Sequence, residues 1–247
     1  MYKSRRVCAV IPAYNEAPSI TRVVSELVAL RHMGIPVLDA VVVCDNASSD
    51  DTAQLASTAG ASVVYESRSG YGYACLKALA ALPPCDVVLF VDGDYSVHTH
   101  EVLDLLAAYT QGYDLVIGAR VPDRREPGAL TPHQILGNKI AAFLLRLRWQ
   151  KTVSDLGPFR AISHSALDQL KMAEPTFGWT MEMQAKALAL GLQTVEVPVH
   201  TRRRIGESKV SGTWRGSIGA GWGILSTFAK IGMASEPVRT RLSEFES

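Results

Sequence analysis

The sequence predicts an α/β fold, a mostly parallel open sheet flanked by helices. Three observations predict it. Short apolar, β-branched runs alternate with stretches of helical periodicity as far as Arg120. Polar clusters or glycine-containing loops follow the apolar runs, as turn chemistry requires. No internal repeat or linker interrupts the pattern, so residues 1–233 read as one domain with a polar tail over 234–247. Such alternation implies parallel strands joined by right-handed crossovers, which bring the loops after the strands to one edge. An open α/β sheet binds its ligands at that edge.

The elements follow in order. Val7 to Ile11 form an apolar run halted by Pro12, the expected first strand, and Pro12-Ala13-Tyr14-Asn15-Glu16 is its loop. Ile20, Val23, Val24, Leu27 and Leu30 recur at helical spacing, with Gly34 as a stop. A second strand is expected over 37–44, closed by Asp45-Asn46-Ala47-Ser48-Ser49-Asp50, small acceptors that turn the chain and cap the next helix. Then come a strand over 61–65, a loop holding Gly70 and Gly72, and a helix over 74–82. Val87 to Val91 run into Asp92-Gly93-Asp94, a buried strand with two acids at its tip. A helix over 100–109 and a strand over 114–118 complete the half that ends at Arg120.

Beyond Arg120 the rhythm breaks. Residues 122–132 form a charged, proline-containing loop, long enough to cover a site. Expected next are an amphipathic helix over 135–149 and a turn at Ser154-Asp155-Leu156-Gly157-Pro158-Phe159 that enters a strand at Arg160. A helix over 178–190 and a strand over 192–199 follow, with Pro198 suiting a sheet edge. The last features are the cationic run Arg202-Arg203-Arg204 and an apolar helix over 214–230.

Composition narrows the function classes. A formal charge of +1 on 247 residues argues against a general nucleic-acid binder. No apolar run reaches the roughly 18 residues of a membrane span, and the N-terminus lacks a signal-peptide apolar region, so a cytosolic location is expected. Cys8, Cys44, Cys75 and Cys85 have no Cys-x-x-Cys spacing and sit in or beside apolar runs, as buried free thiols do.

The chemistry centres on the paired acids. Asp92 and Asp94 are hard oxygen ligands of the type Mg²⁺ or Mn²⁺ prefers, and Gly93 lets a ligand approach the backbone. The plain alternative is an Asp-Gly turn. The loop after the first strand has no Gly-x-Gly-x-x-Gly, and the chain has no Gly-x-x-x-x-Gly-Lys-Ser/Thr, which excludes dinucleotide-binding and P-loop sites. Side chains are left to hold a nucleotide: Tyr14 by stacking, Glu16 and Asp45 by accepting from base or ribose.

These motifs, with Gly70-Tyr71-Gly72, Ile117-Gly118-Ala119-Arg120, Gly157-Pro158-Phe159-Arg160 and Gly206-Glu207-Ser208-Lys209, occur in the order seen in family 2 glycosyltransferases. Over residues 6–215 the chain most resembles the dolichyl-phosphate mannose and polyprenyl-phosphate sugar synthases. The resemblance implies a single GT-A domain with a Rossmann-like sheet, a nucleotide-binding half over 6–120 and an acceptor half over 121–233. It also implies a UDP- or GDP-sugar donor, a divalent metal held by Asp92 and Asp94, and inversion at the anomeric carbon. Ser96 stands where phospholipid-acceptor members carry glutamine, and Asp45-Asn46 replaces a pair of aspartates, so both nucleotides stay open.

Under this resemblance Pro12, Tyr14, Asn15, Glu16, Asp45, Asn46, Gly70, Asp92, Gly93 and Arg120 are the nucleotide-binding candidates. Asp94, Glu182, Asp155, Arg203 and Lys209 are the catalytic candidates. Arg203 and Lys209 would close on the diphosphate or hold an acceptor phosphate, and as a charge run they would otherwise be a solvated edge. Arg120 would reach the phosphates or form a surface ion pair. Glu182 and Asp155 are alternative general bases, or respectively a helix N-terminal acid and a turn cap. His98 and His100 read as exposed loop residues rather than metal ligands. The first expected acceptor is a polyprenyl phosphate met at the inner face of the membrane. A hydroxyl acceptor is the enzymatic alternative, and binding of a nucleotide-sugar without turnover is the non-enzymatic one. The helix over 214–230 would serve core packing, a homodimer or a membrane surface.

Overall fold

A computed structural model of the chain describes residues 1–206 and 214–234. In chain order its elements are β1 (Val7–Ala13), α1 (Ile20–Ala29), a two-stranded hairpin of β2 (Arg31–His32) and β3 (Ile35–Pro36), β4 (Ala40–Asp45), α2 (Thr52–Thr58), β5 (Ser62–Tyr65) and α3 (Tyr71–Leu79). Next are β6 (Val87–Phe90), α4 (Val102–Tyr109), β7 (Leu115–Ala119), α5 (Pro132–Trp149), β8 (Arg160–Ser163), α6 (His164–Leu170), α7 (Trp179–Ala189), β9 (Thr194–Pro198) and α8 (Trp214–Ala234).

Among the described residues seven strands form the main sheet, in the order β5-β4-β1-β6-β8-β7-β9. All neighbours are parallel except β8, which runs antiparallel to both β6 and β7. The expected mostly parallel sheet is present, and β9 takes the edge that Pro198 suggested. The register pairs Phe90 with Arg160, so the loop before β8 arrives where β6 ends. The acid pair and residues 154–159 therefore share the same rim.

Alternation along β1 builds both faces. Val7, Ala9 and Ile11 join the layer of α1 and α4, with Ile20, Val24, Leu105 and Leu106. Cys8 and Val10 join the opposite layer of α3, α6 and α7, with Ala78, Leu167, Trp179 and Met183. A third cluster fastens α5 (Ala141, Ala142, Leu145, Trp149) to α7 (Met181, Ala185, Leu188), with Ile224 and Phe228 of α8 packed against it. All four cysteines are buried free thiols.

Several boundaries differ from expectation for local reasons. Buried Val37 precedes β4 rather than joining it; its backbone N–H bonds the Leu30 carbonyl and that of Asp39 bonds Val7. Helix α3 begins at Tyr71 because the chain there packs on residues 174–175: a Cβ on Gly72 would collide with the Glu174 carbonyl oxygen. Helix α5 begins at Pro132 because Thr131 and Gln134 form a reciprocal capping box with proline at the first helical position. Residues 122–124 form a single 3₁₀ turn within the expected covering loop.

Candidate active site

A cleft of about 490 Å³ opens at the carboxyl rim of the sheet, lined by the loop after β1 (Tyr14, Glu16), the β6 tip (Asp92, Asp94) and the starts of α5 (Thr131) and α7 (Trp179). That volume is in the range of small-ligand sites. Of the nucleotide candidates, Pro12, Tyr14, Glu16, Asn46, Asp92, Gly93 and Arg120 all border it.

Three acids meet at the cleft floor. Asp92 accepts from the Tyr71 hydroxyl at 3.0 Å. Asp94 accepts from its own turn at Ser96 N, 2.9 Å away, with Tyr95 in the left-handed region at φ 62°. Glu16 is buried and accepts from Ser19 Oγ at 3.2 Å. Burial, with the negative charge of Asp94 beside it, raises the Asp92 carboxyl to about 7. The same two causes raise Glu16 to about 7 against the opposing pull of Arg204. Arg204 answers this charge, its Nη2 lying 2.6 Å from Asp94 Oδ2 and 3.8 Å from Glu16 Oε1. Among the described residues no three His, Cys, Asp or Glu side chains form a closed metal cage. A pair of acids that leaves further positions open is the form in which Mg²⁺ is bound together with phosphates. The acids thus fit a divalent cation, and a cationic side chain already lies against them.

The cationic run divides by the two-residue alternation of an extended chain. Arg202 clamps the segment, donating from Nε to the Tyr95 carbonyl at 2.6 Å and from Nη2 to Val97 at 2.8 Å, with its guanidinium 3.3 Å from the Tyr95 ring centroid. Arg204 turns to the acids. Arg203, the expected catalytic arginine, is exposed and does not border the cleft; its backbone N–H bonds Glu126. Arg204 is the residue that sequence reasoning missed. Its signal was the alternation of extended chain, once Arg202 is known to face inward. Lys209 lies outside the described residues.

The remaining nucleotide candidates are held by the loops around the cleft. Asn15, at φ 52°, and Asn46 staple the loops: Asn15 Oδ1 accepts from Ser49 N at 2.7 Å. Asn46 donates to the Glu66 and Arg68 carbonyls and accepts from Gly70 N. Gly70 does not border the cleft; at φ 155° it packs on Pro175. Gly93 gives room to the Ile20 and Glu16 side chains as well as bordering the cleft. Neither Asn15 nor Asp45 borders the cleft; Asp45 is buried, and its Oδ1 is unpartnered among the described residues.

Neither expected base is free. Asp155 is buried in a bidentate pair with Arg120, Nε to Oδ2 at 2.8 Å and Nη2 to Oδ1 at 2.7 Å, and also accepts from Arg120 N. Burial pushes the Asp155 carboxyl up, but the Arg120 charge and hydrogen bonds outweigh it and hold the group below the ordinary carboxylate range. Neither the surface ion pair expected for Arg120 nor the turn cap expected for Asp155 describes this pair. Glu182 is buried in the first turn of α7, accepting from Ala173 N and Glu174 N and pairing with Lys186 Nζ at 2.7 Å. It does not border the cleft. Arg160, fully buried at the start of β8, ties Gly157, Thr180 and Gln184 together, and burial lowers its guanidinium to about 10.

An open, mostly parallel sheet with paired acids at its carboxyl rim is the architecture of the GT-A glycosyltransferase class. Residues 8–171, more than half of the chain, match the family model described as glycosyl transferase family 2. The chain belongs to that family. It is 36% identical over 215 residues to an uncharacterized glycosyltransferase of Mycobacterium tuberculosis, covering 86% of this chain and 93% of the relative. An undecaprenyl-phosphate mannosyltransferase of Micrococcus luteus is 30% identical over 220 residues, 84% of this chain and 88% of that one. Among solved structures, glucosyl-3-phosphoglycerate synthase from Mycobacterium tuberculosis in complex with Mn²⁺, UDP-glucose and phosphoglyceric acid shares the fold, with a TM-score of 0.77 at 23% identity over 93% of this chain and 80% of that chain.

Proposed function

We propose that this glycosyltransferase moves a sugar, with inversion, from a UDP- or GDP-sugar to a polyprenyl phosphate, using Mg²⁺ or Mn²⁺. The observation that carries the acceptor class is the distribution of acids around the cleft. Among the described residues every bordering carboxylate, Glu16, Asp92 and Asp94, belongs to the floor cluster. Away from that cluster the lining includes Leu130, Leu156, Phe159, Phe177, Trp179 and Ile224 and no carboxylate, while Asp155 and Glu182 are tied to Arg120 and Lys186. A hydroxyl acceptor needs a base on that side; a phosphate is ionised at neutral pH and attacks unaided. The apolar wall suits the first isoprene units of such a lipid. The similarity to an undecaprenyl-phosphate mannosyltransferase supports the same reading.

Asp92 and Asp94 would hold the cation, which when bound supplies positive charge to the departing diphosphate. Tyr71 orients Asp92, and the Ser96 amide orients Asp94. Tyr14, 44% exposed at the cleft, would stack on the base, and Asp45, buried beside the cleft residue Asn46, would reach the base or ribose only if its side chain turned toward the cleft. Arg204 would leave the acids for the phosphates, a bidentate task for which guanidinium is suited. Arg120, fixed by Asp155, presents a cationic wall without needing to move.

The experiment is transfer of radiolabelled sugar from UDP- and GDP-sugars into an organic-extractable product with polyprenyl phosphate, with Mn²⁺ or EDTA. Expected are label in the lipid phase, its loss in EDTA, and its loss in Asp94→Asn. Nucleoside diphosphate release with hydroxyl acceptors alone would overturn the acceptor reading. Donor binding without release of nucleoside diphosphate to any acceptor would leave a nucleotide-sugar binding protein.

A further inference from the structure

Helix α5 is apolar on two opposite faces, and the described structure covers one of them. Ala141, Ala142, Leu145 and Trp149 are buried against α7 and α8. On the other side Leu136, Ile140, Phe143 and Leu147 are 59%, 46%, 61% and 68% exposed. Their spacing of four, three and four residues places them in one line along the helix. Scattered exposed apolar residues are ordinary, but a continuous line of large ones marks an interaction surface.

Charge identifies the occupant. Residues 127–154 contain Lys139, Arg146, Arg148 and Lys151 and no aspartate or glutamate, in a chain whose formal charge is +1. Lys139 and Arg146 are exposed and stand beside the apolar line, one helical position from Ile140 and Leu147. Apolar side chains flanked by cations are the pattern of a helix lying in the interface of an anionic bilayer. A second copy of the chain is disfavoured by the same charges, since a two-fold contact sets each patch against itself. Among the described residues no helix is long and apolar enough to cross a membrane, so α5 would lie along the surface.

We infer that α5 is a membrane-docking helix whose exposed line Leu136-Ile140-Phe143-Leu147 seats on an anionic lipid surface. The inference rests on the lipid-phosphate reading for its biological purpose. Thr131 and Gln134, at the start of α5, border the cleft, so a docked helix would put the apolar cleft wall next to the bilayer from which such an acceptor comes. Of the alternatives given for α8, core packing is met at Ile224 and Phe228, and the membrane surface falls to α5 in this account.

Flotation of the whole protein with vesicles lacking polyprenyl phosphate tests docking apart from the acceptor. Vesicles containing phosphatidylglycerol should carry the protein up at low salt and release it at high salt, and pure phosphatidylcholine should bind it at least about tenfold more weakly. The double variant Phe143→Glu/Leu147→Glu should lower binding at least about tenfold with an unchanged melting curve and unchanged transfer to a detergent-dissolved acceptor. Lys139→Gln/Arg146→Gln, which keeps the apolar line, should reduce binding to phosphatidylglycerol vesicles alone. Failure of the wild type to float at low salt overturns the inference, as does flotation of the Glu variant like wild type. So does light scattering that shows a dimer broken by the Glu variant. Flotation of the wild type without transfer to polyprenyl phosphate supports docking and overturns the acceptor reading alone.

Discussion

The guanidinium of Arg204 and the carboxylate of Asp94 form an ion pair of 2.6 Å at the tip of the central strand. The arginine comes from more than a hundred residues further along the chain, yet it carries the positive charge that the crowded acids of the cleft floor require. Asp94 is only 6% exposed, and Arg204 is part-buried with its Nε unpartnered among the described residues.

Replacing Arg204 by Gln should therefore destabilise the metal-free protein by about 1–3 kcal/mol, the cost of leaving a mostly buried charge uncompensated at a part-exposed site. Mn²⁺ should raise the melting temperature of the variant by more than it raises that of the wild type. Calorimetry with EDTA and with Mn²⁺ reads both, and equal shifts in the two proteins would sink the claim.

Asp155 should make stability fall in acid. Its carboxyl titrates below the ordinary value when folded, because the Arg120 pair outweighs burial. Between the folded and unfolded values the unfolded chain binds the extra proton, so stability rises with pH there and the contribution is complete above the unfolded value. Asp155→Asn should cost about 3–5 kcal/mol at pH 7, the cost of breaking a buried pair. Urea unfolding from pH 7 downward should show the gap between the two proteins closing below about pH 4, where an unfolded aspartate is protonated. A gap that is constant with pH would refute this account.

Glu182→Gln separates a scaffold from a base. Glu182 holds the Ala173 and Glu174 amides and Lys186, so the variant should lose about 1–3 kcal/mol of stability as a charged acceptor is removed. Turnover with a lipid phosphate should stay within a few-fold of wild type, whereas removal of a general base costs about 10²–10⁴-fold. Steady-state rates on both acceptor types, measured below the variant's melting range, make the distinction.

Two glycines should respond in opposite directions. Gly72→Ala would drive a Cβ into the Glu174 backbone and should unfold or severely destabilise the protein, because backbone at that junction has nowhere to move. Gly137 lies inside α5 with open space where a Cβ would stand, and Gly137→Ala should add about 0.5–1 kcal/mol by helix propensity. Denaturant midpoints measure both.

Strands β1, β6 and β7 were legible because runs such as Val87 to Phe90 are buried on both faces and bounded by turn residues. The acid-tipped rim followed from topology alone. The direction of β8 was not legible, since Arg160-Ala161-Ile162-Ser163 reads alike for a parallel or an antiparallel strand. Nor did the motifs separate Arg203 from Arg204, because which arginine faces the acids depends on Arg202 docking at Tyr95, a contact spanning 107 positions. Glu182 was visible as an acid in a first helical turn, but its partners Ala173 and Glu174 belong to a loop whose course only the tertiary fold defines.

The reversed course of β8 has a consequence for how this enzyme diversifies. Strands β1, β4 and β6 deliver their functional loops on leaving the sheet, whereas β8 delivers residues 154–159 on entering it. Loops that meet at one rim are thus encoded in segments of opposite polarity. Under the proposed function, substitution at Leu156 or Phe159 could alter acceptor choice while the loops after β1, β4 and β6 keep their geometry.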